Sequence, residues 1–254
     1  MRSWASVRPE RGVVAATSQA ACHSCGSHNP AGQQFCGSCG VPLGLATSAP
    51  EAYTPPHIAR LIRDSRSAVE GERKLVTVLF VDLAGSTTIA ERIGAEAMHR
   101  VLERFFELAL SEIHRFEGTV NQFLGDGLMA LFGAPVAHED HAERAARAAL
   151  ALQEETGQLA AEHPGWPRFR AGLNTGEASV GVLGTGSGRT YSAIGDTVNL
   201  GSRIEGLAPA GGIAISAETA SQLWGAETEP LDTVQVKGRE EPVEVLLLRR
   251  LPPG

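Results

Sequence analysis

Three segments place a polar side chain where a strand or a helix would end. Asp82 follows the apolar run Leu75–Val81 and precedes Leu83-Ala84-Gly85-Ser86-Thr87. A carboxylate leaving a buried strand, ahead of a Gly-Ser-Thr turn that opens a helix, offers a metal ligand beside backbone amides suited to phosphate. The plain alternative is a helix N-cap. Asp126 sits in Gly125-Asp126-Gly127 between two short apolar runs, and Asp-Gly is also a favoured hairpin turn. Two carboxylates at neighbouring strand ends mean more than one. A pair of Mg²⁺ ions needs about two shared carboxylates, with substrate oxygens, to clamp an attacking and a leaving group. Asn199 and Arg203 lie in Asp196-Thr197-Val198-Asn199-Leu200-Gly201-Ser202-Arg203. Their i, i+4 spacing puts both on one helix face, where an amide and a guanidinium can hold a ribose and a phosphate. Many such pairs are only a solvated polar stripe.

The four cysteines, Cys22, Cys25, Cys36 and Cys39, form a C-x2-C-x10-C-x2-C pattern with Gly26 and Gly40 directly after each pair. Two thiolate knuckles supply the tetrahedral sulfur set of one structural Zn²⁺. Disulfides and a redox pair are the competing readings, and the chain shows no secretory signal that would favour disulfides. No basic or aromatic cluster surrounds the cysteines, so the ribbon reads as a docking or spacer module.

The elements around these residues follow from periodicity. Residues 1–20 read as disordered, 21–44 as the zinc ribbon, and 45–72 as a Pro/Ala/Ser/Thr linker followed by a short amphipathic helix in 57–70. The main domain occupies 73–250. Leu75–Val81 reads as a central buried strand. Ser86–Phe116 carries a helical repeat through Ile89, Ile93, Met98, Leu102, Phe105 and Leu108. Thr119–Leu124 and Leu128–Phe132 read as strands around the Asp126 turn. His138–Glu162 reads as an Ala-rich helix. Arg168–Asn174 and Ala178–Leu183 read as a strand pair parted by Gly176. Asp196 is expected to cap a helix reaching Gly206, and strands follow at Gly212–Ile215, Thr233–Val236 and Val243–Leu248. This β-α-β-β-α-β order predicts an α+β, ferredoxin-like split βαβ fold with a mainly antiparallel sheet.

With 254 residues, 43% of them hydrophobic, the chain can bury a full core. A net charge of −7 argues against a nucleic-acid binder. No apolar run reaches bilayer-spanning length, and the expected location is the cytoplasm.

Phe80-Val81-Asp82-Leu83-Ala84-Gly85-Ser86-Thr87, Phe123-Leu124-Gly125-Asp126-Gly127 and Ile194–Arg203 together resemble the three signature segments of class III adenylate/guanylate cyclases. They come in the same order and on the same elements, and the resemblance covers roughly Lys74–Leu248. His138-Glu139-Asp140-His141, after Phe132-Gly133-Ala134-Pro135, is similar to bacterial members; read by itself it is a solvated helix start, and no metal is assigned to it. The ribbon ahead of the domain also resembles a multidomain bacterial architecture.

The resemblance implies conversion of ATP to 3′,5′-cyclic AMP and pyrophosphate with two Mg²⁺ or Mn²⁺ ions. Asp82 and Asp126 match the metal aspartates, and the Leu83 carbonyl a further ligand. Gly85, Ser86 and Thr87 form the phosphate turn. Asn199 and Arg203 match the pair that orients ribose and stabilises charge on the reacting phosphate. Lys237 matches a lysine on the terminal phosphates, and Arg189 a further phosphate contact. In the family these groups come from two subunits, which implies a homodimer with shared sites. Two positions depart from the pattern. The base-reading position, commonly Lys or Glu, is Gln122, and its partner, commonly Asp or Thr, is Ser192. Amide and hydroxyl both donate and accept, so ATP and GTP both remain open as substrates. A catalytically weak nucleotide-binding regulatory module is the alternative of a different class.

Overall fold

The computed structural model describes residues 20–21, 28–29, 54–64, 71–163, 166–183, 190–235 and 242–253. The chain divides into two units, Met1–Ala46 and Thr47–Gly254. In the first unit, the strands β1 (Ala20–Ala21) and β2 (His28–Asn29) pair antiparallel. Cys22, Cys25, Cys36 and Cys39 lie outside the described residues, as do residues 1–19 of the terminus expected to be disordered and most of the linker. Ala20, expected to be disordered, is in β1, and of the expected ribbon only Ala21, His28 and Asn29 are described.

The second unit opens with helix α1 (Pro56–Asp64) and then builds one sheet. Its strands are β3 (Glu72–Leu83), β4 (Thr119–Phe123), β5 (Leu128–Phe132), β6 (Phe169–Leu183), β7 (Thr190–Ile194), β8 (Ile213–Ser216), β9 (Glu227–Val234) and β10 (Val243–Arg250). The order is β4-β5-β3-β6-β8-β10-β9, with β7 paired to β6. All pairs are antiparallel except β6–β8. The helices are α2 (Ser86–Ile93), α3 (Ala95–Arg115), α4 (His141–Glu162), α5 (Asp196–Leu207) and the short α6 (Ala217–Ser221). The α+β architecture expected from the pattern is present.

Alternation along β3 sorts the core into two faces. Leu79, Val81 and Leu83 pack under α3 and α4, with Phe105, Ile113, Leu152 and Phe169. The Phe105 and Phe169 rings stack at 3.7 Å, and truncating either to Ala would cost about 3–5 kcal/mol. On α3 the buried residues Val101, Phe105, Ala109 and Ile113 recur every four positions and form its core ridge. The alanines 142, 145, 146 and 149 give α4 a smooth buried face. Val76, Val78 and Phe80 point to the opposite face, where α5 lies: a Cβ on Gly201 would meet Val78 and Phe80.

Four expectations differ from the structure, the first being the strand expected at Thr233–Val236, which starts six residues earlier as β9 (Glu227–Val234). The expected single helix Ser86–Phe116 is two helices, broken at Gly94, whose φ of 82° no helix accommodates. The pair Arg168–Asn174 and Ala178–Leu183 is one continuous strand, β6. Gly176 makes no turn there; it leaves room for Thr197 of α5, whose hydroxyl would lie 2.7 Å from a Cβ. Asp196 is the first helical residue of α5 rather than its cap. Gly195 holds the cap position, and no side chain caps the helix.

Candidate active site

Asp82 is the penultimate residue of β3 and falls opposite Arg170 in the β3–β6 ladder. Arg170 Nη2 lies 3.1 Å from Asp82 Oδ2, and Arg170 Nε lies 2.5 Å from Glu205 Oε1 on α5. The cap of α2 is Gly85 (φ 75°) and not Asp82, whose carboxylate is thereby left for other work. Leu83 is buried at the strand end, Gly85 is exposed and Ser86 is half-buried. Thr87 falls within the first turn of α2.

Asp126 lies in the turn between β4 and β5, and the β3–β5 ladder brings that turn beside the end of β3, where Val81 pairs with Leu128. The two backbones touch at Gly127. A Cβ there would collide with the Val81 carbonyl oxygen and come within 3.0 Å of Asp82 Oδ1. The carboxylates are therefore close enough to repel. Burial raises the Asp82 pKa above the ordinary carboxylate range, the charge of Asp126 adds to the rise, and Arg170 offsets it only in part. Burial likewise raises Glu205, against the pull of Arg170. Asp126 Oδ2 is buried with no hydrogen-bond partner among the described residues. Such a group costs roughly 1–3 kcal/mol unless something fills the place of a partner. Two repelling carboxylates, one with an orphaned oxygen, fit a divalent cation that would take both. Among the described residues no three His, Cys, Asp or Glu side chains converge as a metal cluster. A metal here would thus draw on two carboxylates, backbone oxygen and ligand oxygens.

Asn199 and Arg203 are both exposed on α5, and Arg203 Nη1 donates to the Gln235 carbonyl at 3.4 Å. Gln235 stands two residues before Lys237, which lies outside the described residues, as does Arg189. Gln122 and Ser192 are far apart in sequence but close in the fold. Asn121 Nδ2 donates to the Tyr191 carbonyl at 2.5 Å, tying β4 to β7 beside both residues. Gln122 is exposed and Ser192 buried.

Arg170 and Glu205 escaped the sequence reading. The available signal was a charged side chain on the face of β6 that otherwise carries Gly172, Asn174 and Gly176, the small-residue face against which α5 sits.

The adenylate and guanylate cyclase catalytic domain model matches residues 69–249. Adenylate cyclase 1 of Rhizobium meliloti (strain 1021) is 37% identical over 180 residues, covering 68% of this chain and 27% of that protein. The structure of the adenylyl cyclase CyaB from P. aeruginosa matches with a TM-score of 0.66 and 30% identity, covering 72% of this chain and 98% of that one. The guanylyl cyclase Cya2 matches with a TM-score of 0.63 and 32% identity, covering 72% and 95%. Among the described residues no helix is long and apolar enough to cross a membrane. The matched span takes in Asp82, Asp126, Asn199 and Arg203 together, and the chain belongs to the adenylate and guanylate cyclase catalytic domain family.

Proposed function

We propose that the chain is a nucleotidyl cyclase that converts ATP to 3′,5′-cyclic AMP and pyrophosphate in a homodimer acting in intracellular signalling in the cytoplasm. The cyclase domain spans 73–250, behind a zinc ribbon at 21–44. The observation that carries this reading is the Asp82–Asp126 pair, held together by backbone contact at Gly127 and left with an orphaned carboxylate oxygen.

Asp82, Asp126 and the Leu83 carbonyl would hold two Mg²⁺ or Mn²⁺ ions. When bound, these acidify the ribose 3′-hydroxyl and neutralise charge on the phosphates. The hydroxyl attacks the α-phosphorus in line, and pyrophosphate leaves. The free amides at the start of α2, from Gly85 to Thr87, receive phosphate oxygens. Arg203 stabilises charge on the reacting phosphate and Asn199 orients the ribose. Lys237 and Arg189 reach the terminal phosphates. Gln122 and Ser192 face the base.

Sharing of the site between chains is supported by how α5 is turned. Glu205 faces Asp82 and Arg170 of its own chain, whereas Asn199 and Arg203 are exposed on other faces of the helix. Their exposure leaves them accessible to a second chain.

A guanylate or mixed-specificity cyclase is the second reading, favoured by the amide at Gln122 and the hydroxyl at Ser192, which complement either purine edge. One experiment addresses both readings. The purified protein is incubated with Mn²⁺ or Mg²⁺ and ATP or GTP, and the cyclic product is identified by mass. Cyclic AMP from ATP is expected. Cyclic GMP as the main product would establish the second reading, and no cyclic product from either nucleotide would leave only a regulatory nucleotide-binding module.

A further inference from the structure

Glu205 is a carboxylate with 9% exposure in the middle of a domain, and the reaction just described does not use it. Its partner is Arg170, which divides its guanidinium between Glu205 on α5 and Asp82 on β3. A buried ion pair is weak evidence for stability, because desolvation offsets much of the attraction. The pair places the Arg170 guanidinium against the Asp82 carboxylate.

The helix that carries Glu205 is seated on β6 along its length. Near its start, Asn174 Nδ2 donates to the Thr197 carbonyl at 2.9 Å, and the Thr197 hydroxyl donates to the Glu177 carbonyl at 2.6 Å. Near its end, a Cβ on Gly172 would collide with the Glu205 backbone, so helix and strand touch main chain to main chain. A helix seated this way shifts as one body with β6. Arg203 and Glu205 are about 200° apart around the helix at 3.6 residues per turn. One face therefore addresses the chain's own Asp82 while the other carries Asn199 and Arg203 outward.

We propose that Glu205 is a positioning residue through which α5 couples the two active sites of the dimer: it sets Arg170 against Asp82 in its own chain and, through the same rigid helix, sets Asn199 and Arg203 in the site of the partner. This rests on the shared-site reading above. Without the Glu205 charge, Arg170 would give its whole guanidinium to Asp82 and compete with a metal there.

The test uses mixed dimers. Asp82→Asn chains mixed with Arg203→Ala chains form one dimer species with a single competent site, made of the carboxylates of the Arg203→Ala chain and the α5 of the Asp82→Asn chain. Glu205→Gln is then added to one chain or the other. In the Arg203→Ala chain it acts beside the competent carboxylates, and a loss of roughly ten- to a hundredfold in kcat is expected. In the Asp82→Asn chain it reaches the competent site only through α5, and a loss of roughly three- to tenfold in kcat with little change in KM is expected. Mn²⁺ binding without nucleotide, followed by electron paramagnetic resonance, should weaken about tenfold in Glu205→Gln. Glu205→Asp, which keeps the charge, should lie between that variant and wild type, and it stands in if Glu205→Gln does not fold.

No effect from the Asp82→Asn chain, with a clear effect from the other, overturns the coupling and leaves Glu205 as a local residue. Unchanged Mn²⁺ binding overturns the positioning role. No activity in the parent mixture, with chain exchange demonstrated, overturns the shared site itself and the coupling with it.

Discussion

Asp82 and Arg170 face each other across the β3–β6 ladder at 3.1 Å, yet the Asp82 carboxyl titrates above its ordinary range, because burial and the charge of Asp126 outweigh the guanidinium. A raised carboxyl pKa means that the ionised form is the one the fold disfavours. Its contribution to stability is full below the unfolded value near 3.8 and is lost as pH rises through the higher folded pKa. At neutral pH, without metal, Asp82 is therefore a burden on the fold. Asp82→Asn should melt at or above the wild-type temperature at pH 7.5 in chelator, and the difference should shrink toward pH 4. The same variant should lose about three orders of magnitude in turnover, about 4 kcal/mol of barrier. A clear drop in melting temperature at pH 7.5 would contradict the burial argument.

His141, at the start of α4, shows the opposite sign. It is 4% exposed, and its Nδ1 lies 2.8 Å from the Thr77 hydroxyl. Thr219 donates to Thr175, and the 2.8 Å contacts Thr175–Thr77 and Thr77–Nδ1 extend this into a relay in which Thr175 can donate to Thr77 and Thr77 to Nδ1. With the donors running in that direction, the neutral ring carries its proton on Nε2. Burial lowers its pKa and His138 adds to the fall, while Asp140 opposes it. A depressed histidine contributes stability that is full above the unfolded value near 6.5 and is lost as pH falls toward the folded pKa, since only the unfolded chain takes up the proton in that window. His114, also lowered by burial, adds to the same slope. His141→Gln should lose less stability than wild type between pH 7.5 and 5.5, as read by urea midpoints. Nitrogen-15 NMR should find the Nε2–H tautomer, and an Nδ1–H tautomer would mean that the Thr77 hydroxyl accepts from the ring and donates to Thr175.

Specificity for the base should respond to Gln122, whose neighbour Asn121 is hydrogen-bonded to the carbonyl of Tyr191, the residue before Ser192. Gln122→Lys should shift preference toward ATP by roughly tenfold or more, because an ammonium donates to adenine nitrogens but cannot accept from the N–H of guanine. The ratio of kcat/KM for ATP and GTP measures this, and an unchanged ratio would remove Gln122 from the base site.

The four cysteines should bind one zinc per chain, seen by metal analysis of freshly purified protein. Chelation should unfold the proposed ribbon, and a chain starting at Pro55 should keep the proposed cyclase activity, since Thr47–Gly254 is a compact unit of its own. Loss of activity on that truncation would mean that the ribbon helps order the dimer.

What could be read from residues alone was local. Asp82 ends an apolar run, Asp126 sits between two glycines, and Asn199 and Arg203 share a helix face by spacing; each signal lies within about ten residues. Arg170 and Glu205 offered only a weak signal because their meaning depends on ladder register and on a helix crossing the sheet, contacts between residues 35 or more positions apart in Asp82–Arg170 and Arg170–Glu205. Gly176 misled for a related reason. A glycine within an apolar run looks like a turn until the helix that needs the space is known. The two expected phosphate contacts Arg189 and Lys237 fall outside the described residues.

The contact at Gly127 bears on how this domain tolerates change. Because β5 meets β3 there through main-chain atoms, the gap between the two carboxylates is set by a part of the protein that no other side chain adjusts. Core residues under α3 and α4 can be exchanged for others of similar volume, and Gln122 and Ser192 can drift, while the gap stays the same. The converse is that a side chain at 127 has no remedy elsewhere: a search for second-site suppressors of Gly127→Ala should return revertants and nothing else.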